Sequence, residues 1–80
     1  MPTIKDIDEA WAEFTKYTET AEQHEIVELF MIQRFLEPYY DLLHKEWDAG
    51  EWDEKHAVIW LNGFHKMFYE GFLGREIEHE

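Results

Sequence analysis
The sequence predicts an all-α fold, a small bundle of three or four helices, and three observations carry that prediction. Apolar residues recur at steps of three and four in three separate stretches, the mark of one helix face. Each stretch is preceded by residues suited to cap a helix N-terminus. Glycine and proline stand singly where helices would end or bend, and no Gly-, Ser- or Pro-rich linker divides the chain. At 80 residues, positions 1–80 are expected to form one domain.

The elements follow in order. Thr3 with Asp6 reads as a capping box, with Asp in the place usually taken by Glu or Gln. Ile4, Ile7, Trp11 and Phe14 then share one face, which places a first helix over residues 4–18. Thr20-Ala21-Glu22-Gln23 reads as a second capping box opening a second helix. Its stripe is Leu29, Ile32, Leu36, Tyr39 and Leu43, flanked by Phe35 and Leu42. Pro38 interrupts the stripe at ~3 kcal/mol, so the helix either kinks there or stops and Pro38 opens a new helix at its first position. Asp48-Ala49-Gly50 ends the pattern, with Gly50 suited to a left-handed cap.

Asp53 is placed to cap the last helix, whose stripe is Ala57, Leu61, Phe64, Phe68 and Phe72. Gly74 fits its C-terminal stop, with Arg75 against the negative end of the helix dipole. Asn62-Gly63 is a hairpin cue, but residues 64–69 do not alternate, so the helix is preferred. Gly63 and Gly71 each cost a helix ~1 kcal/mol against Ala and would either admit close helix contact or soften the helix. Phe30, Met31, Phe35, Trp60, Met67 and Tyr69 widen the stripes past one face, and a homodimer would bury that excess.

Composition narrows the function. With 7 Lys+Arg against 19 Asp+Glu, the formal charge is −12. Phosphates repel such a surface, so direct nucleic-acid binding is not expected. The chain has no Cys, which removes disulfide scaffolds and thiolate metal sites. Its 14 aromatic residues supply apolar surface that disordered chains lack. The first ten residues are polar and acidic rather than a signal peptide, and the longest uncharged run, residues 57–65, is far below the ~20 needed to span a bilayer. A cytoplasmic protein without membrane contact is expected.

Chemistry is sparsely signalled. His24 with Glu28 could form half a metal site, with Glu28 set in the apolar arc of the second helix. Asp41 with His44, Asp53 with His56 and Glu76 with His79 are acid-x-x-His pairs, but only the last has the Glu that di-iron bundles use. There is no Ser or Cys nucleophile and no phosphate loop. An enzyme, a cofactor and a metal are therefore not expected, and a metal-dependent bundle is a third reading.

The acids cluster. Eight fall in the first 28 residues, five in residues 46–54, and only Glu37 and Asp41 in residues 29–45. Glu76, Glu78 and Glu80 end the chain. Glu-Trp-Asp occurs twice, at Glu46-Trp47-Asp48 and Glu51-Trp52-Asp53, around a turn that lacks the Asp/Asn alternation of a calcium loop. Trp is enriched in interface hot spots, and charge steers partners. The leading expectation is a stoichiometric inhibitor that occupies the basic surface of a nucleic-acid-binding protein. Its carboxylates would imitate phosphates. Asp6, Asp8, Glu9, Glu13, Glu46, Asp48, Glu51, Asp53 and Glu54 would supply the charge, and Trp47 and Trp52 the anchors. Small acidic anti-restriction and anti-CRISPR proteins of phages are similar in size and charge, although no family motif is present. The alternative is a homodimeric helical accessory or assembly subunit that works through its apolar stripe.

Overall fold
Capping side chains set where the helices begin. A computed structural model of the chain describes residues 2–74. Helix α1 spans Ile4–Thr20, α2 spans Gln23–Asp48 and α3 spans Glu54–Phe64, continuing directly into a π-helical segment, His65–Leu73. No strand occurs among the described residues, so the fold is all-α.

Asp6 Oδ2 accepts from the Thr3 amide at 2.8 Å and closes the first capping box as expected. The second box is displaced. Glu22, not Thr20, is the N-cap of α2, and Glu25 Oε1 accepts the Glu22 amide at 3.0 Å. Thr20 belongs to the last turn of α1, where its hydroxyl donates to the Tyr17 carbonyl at 3.2 Å. A hydroxyl can bond back to its own helix, so the same Thr serves an end as well as a start.

Pro38 does not break α2, which runs on to Asp48. Gly50 then adopts φ +73, and the Glu51 amide reaches the Glu46 carbonyl at 2.8 Å while the Gly50 amide reaches Trp47 O at 3.1 Å. These two bonds are the Schellman closure. Asp53 Oδ1 accepts from the Lys55 amide at 2.9 Å and opens α3.

The last helix departs from expectation twice. Gly74 keeps a right-handed conformation at φ −60, and its amide donates to Tyr69 O, five residues back, so it does not form the left-handed stop. Arg75, Glu76, Glu78, His79 and Glu80 lie outside the described residues. The i→i+5 bonding has a signal in the sequence: Trp60, Phe64, Phe68 and Phe72 recur every four residues, longer than the 3.6 of an α-helix. Gly71 suits this geometry, because a Cβ there would stand 3.2 Å from the Lys66 carbonyl oxygen. Gly63 has open space around it and admits no close helix contact.

One core joins the helices: Ile7 and Phe14 from α1, Leu29, Ile32, Leu36 and Leu43 from α2, and Ala57, Trp60, Phe64, Phe68 and Phe72 from the third helix and its π segment. Trp60 is a core residue at 1 % exposure rather than part of the excess stripe, and its indole N–H donates to Leu36 O at 3.1 Å. Leu61 and Tyr39 are half-buried at the margin. With α1 on one side of the α2–α3 pair, the other described elements leave Val27, Met31 and Phe35 on the outer side of α2 exposed.

Candidate interaction surface
Two surfaces compete for the functional role, and the structure treats them differently. The acids of α1 and the α2–α3 turn are substantially used inside the molecule. Asp8 Oδ1 accepts from the Tyr40 hydroxyl at 2.7 Å, with His44 Nε2 2.6 Å from the same oxygen. The Tyr69 hydroxyl donates to Glu13. Glu46 holds His56 Nδ1 at 2.6 and 2.9 Å from its two oxygens. Asp6 and Asp53 cap helices. Burial first, then the Asp8 hydrogen bond and charge, pushes the Tyr40 phenol up to about 12. Burial and Glu13 do the same for Tyr69, also to about 12. Both phenols therefore stay protonated and donate. Burial, then Glu46 and Asp53, also raises Tyr39.

Of the nine carboxylates expected on a partner face, Glu9, Asp48, Glu51 and Glu54 are exposed and make no side-chain hydrogen bond or ion pair with any described residue. The tryptophans divide as well. Trp52 is half-buried, packs on the core and donates to the Pro2 carbonyl at 3.3 Å. Trp47 remains 44 % exposed, edge-on to Trp52 with ring centroids 5.2 Å apart. The pattern closes one end of the core and leaves one aromatic face outward.

The metal arrangement does not assemble. His24 Nδ1 lies 3.4 Å from Glu22, not on Glu28. His44 turns to Asp8 rather than Asp41, while His56 holds Glu46 through Nδ1 and keeps Nε2 3.8 Å from Asp53, and no three potential ligands converge among the described residues. The buried acid of α2 is Glu25, while Glu28 is half-buried. Glu25 lies on the Leu29–Ile32–Leu36 stripe, and its Oε2 accepts from the Tyr17 hydroxyl at 3.1 Å. One carboxylate thus caps α2 and ties it to α1. Glu25→Ala leaves a phenol and an amide without this acceptor, and an acceptor lost at such a site costs about 1–3 kcal/mol. A fall of that size in denaturant-unfolding free energy, with a smaller fall in Glu25→Gln, is the expected result.

The Glu46–His56 pair gives a pH dependence. The Glu46 hydrogen bond raises the His56 pKa above 6.5, with burial opposing and the charges of Glu46 and Asp53 adding. A raised folded-state pKa stabilises fully below the unfolded value and is lost as pH rises through the folded value. The difference in Tm between wild type and Glu46→Gln is therefore expected to be largest near pH ~5.5 and to shrink toward pH ~8. A difference that does not change with pH contradicts this account.

The second surface is apolar. Across residues 26–36, α2 turns Leu29, Ile32 and Leu36 inward yet also carries Ile26, Val27, Phe30, Met31 and Phe35 outward. Val27, Met31 and Phe35 are 69, 66 and 71 % exposed, and Ile59 of α3 adds 61 % beside them. Two adjoining depressions share Phe35. One, of about 600 Å³, is lined by Val27, Met31 and Met67, and the other, of about 460 Å³, by Tyr39, Ile59 and Gly63. Only Glu28, Gln33 and Arg34 interrupt the apolar residues of α2 between positions 26 and 36. Contiguous exposure of this kind marks an interaction site. Sequence spacing flagged Phe35 and Met31 as excess but could not say which side α1 would cover.

Comparison with protein-family models, with curated proteins and with solved structures finds no match to this chain. No helix among the described residues is long and apolar enough to cross a membrane.

Proposed function
We propose that this protein is a non-catalytic helical accessory or assembly subunit of the cytoplasm that works by presenting the outer face of α2 to another protein surface. The observation that carries the reading is the contiguous outward placement of Val27, Met31, Phe35 and Ile59. Among residues 26–36 the charged side chains are Glu28, half-buried at the margin of the face, and Arg34, so a partner needs to leave these two at the rim or pair them.

A second reading keeps the inhibitor of a basic, nucleic-acid-binding surface, of the phage anti-defence kind. It is favoured by Trp47, exposed beside Asp48, Glu51 and Glu54 at the α2–α3 turn. There the turn, with Glu9 as an outlying acid, would do the work, while Asp6, Asp8, Glu13, Glu46 and Asp53 would hold the scaffold.

A photo-cross-linking residue placed at Phe35 or at Glu51 in source cells separates the two. Adducts at position 35 are expected from the subunit reading. Adducts confined to position 51 would overturn it and favour the inhibitor.

A further inference from the structure
The two apolar depressions that share Phe35 run end to end along the seam between α2 and the third helix, and no residue of α1 lines either one. From His24 to Tyr39 the seam follows α2 for about 22 Å, at ~1.5 Å per residue. Its walls are regular. Met31, Phe35 and Tyr39 follow at steps of four on α2, and Ile59, Gly63 and Met67 at steps of four on the opposite wall. Gly63 is a notch in that wall, because no part of this chain fills the space in front of it and a Cβ there would meet nothing within 4 Å.

The charges beside the middle of this groove are cations. Arg34 borders it with Met31 and Phe35. Lys55 and Lys66 stand four residues before Ile59 and seven after it, on the same stripe of the third helix. All three are exposed, and none makes an ion pair with a described residue in a chain that holds 19 acids. The acids lie toward the ends or elsewhere, and most are engaged. Glu28 is half-buried at one end, where Glu70 lies 3.8 Å from His65. At the other end Glu46 holds His56, Asp53 caps α3, and Asp41 is exposed seven residues beyond Arg34. Glu37 accepts from Gln33 and points away from the groove.

We propose that this groove receives an amphipathic helix of another protein, with apolar anchors at i, i+4 and i+7 and with carboxylates bordering that stripe. The inference rests on the reading of the α2 face as the working surface and names the chemistry of what it binds. The walls select a helix. Side chains four apart form ridges on both sides, and the ridges of a third helix fit between them. An extended segment laid here would set its amides against apolar side chains, whereas a helix bonds its own. The notch at Gly63 takes one large anchor, and the flexible thioethers of Met31 and Met67 close around its neighbours.

The rims select the charge. Carboxylates beside the anchors would give Arg34, Lys55 and Lys66 charge-assisted bonds that the fold does not supply. Lysines in the same places would meet like charge. The net −12 opposes an acidic helix at long range, but at 0.15 M salt charges beyond ~8 Å are largely screened, and those bordering the groove decide.

Fluorescence anisotropy of the full chain with two labelled, designed helical peptides tests this. Both carry leucine at i, i+4, i+7 and i+11, and the flanking positions are Glu in one and Lys in its twin. The Glu-flanked peptide is expected to bind at least about tenfold more tightly than the twin. Gly63→Leu fills the notch and is expected to abolish binding while helicity by circular dichroism is kept, since leucine favours a helix over glycine. Arg34→Glu combined with Lys66→Glu should reverse the preference between the peptides. Equal or tighter binding of the Lys-flanked twin overturns the inference, as does binding indifferent to Gly63→Leu. A species of twice the 9.8 kDa chain mass in sedimentation velocity, lost in Gly63→Leu, also overturns it and assigns the groove to a second copy. If neither peptide binds while a cross-linker at position 35 still captures a protein in source cells, the helix inference falls and the α2-face reading stands. Neither peptide bound and no adduct at position 35 overturn both.

Discussion
Trp60→Ala is expected to leave the protein largely unfolded or barely folded at 37 °C. Trp60 is 1 % exposed, stacks on Phe64 with ring centroids 5.3 Å apart at 13°, and meets Trp11 and Tyr40 at 6.1 and 6.0 Å. Its N–H also supplies the Leu36 carbonyl with a bond from the neighbouring helix. Truncating a buried Trp to Ala costs about 3–5 kcal/mol. A chain of this length has roughly 4–12 kcal/mol in total. In a domain this small, each kcal/mol moves Tm by about 4–8 °C. Thermal unfolding by circular dichroism should show a drop of more than ~12 °C. Phe35→Ala is the control. Its side chain is 71 % exposed, so the monomer should shift by no more than ~0.5 kcal/mol. Equal losses in the two variants would mean that Phe35 packs as a core residue and the outer face of α2 is wrongly assigned.

Pro38→Ala is expected to stabilise the chain, by up to about 3 kcal/mol. Pro38 lies inside the unbroken α2 and is exposed, so its replacement empties no core space. Alanine would return the amide that the Arg34 carbonyl lacks and remove the ring from the preceding turn. A rise in Tm, read at fixed protein concentration, is the expected outcome, and a fall would show that the ring makes packing contacts that α2 needs. The position also bears on function. Pro38 follows Phe35 on the outer side of α2, so a variant that gains stability but loses cross-linking at position 35 would locate the benefit of proline at the proposed surface.

The helices were largely legible in the sequence because their signals are local. Asp6, Gly50 and Asp53 act on amides within a few residues of themselves, and each does in the fold what its spacing implied. Thr20 misled because its hydroxyl has two nearby backbone options, and the bond back to Tyr17 prevailed. The π segment had its trace in the four-residue recurrence from Trp60 to Phe72, a period between the α and π values.

The surface was harder to read because it depends on which helices meet. Asp8 meets Tyr40 and His44 across 32 and 36 residues of chain, and Glu13 meets Tyr69 across 56. No spacing rule reaches that far. Acids that look like a solvent-facing cluster on a helical wheel become acceptors for neighbouring phenols once α1 is laid on its partners. Phe35 and Met31 were visible as excess apolar residues. Their exposure followed only when α1 was seen to cover the other side of α2.

Oxidative footprinting tests the central claim most directly, because the two competing surfaces each carry an oxidisable reporter. Met31 marks the outer face of α2 at 66 % exposure, and Trp47 marks the acidic turn at 44 %. Hydroxyl-radical labelling of dilute purified protein is compared with labelling in source-cell lysate, and both residues are read by mass spectrometry. The account predicts that Met31 becomes protected in lysate while Trp47 oxidises as before. Protection of Trp47 with Met31 unchanged would contradict it and move the working surface to the acidic turn.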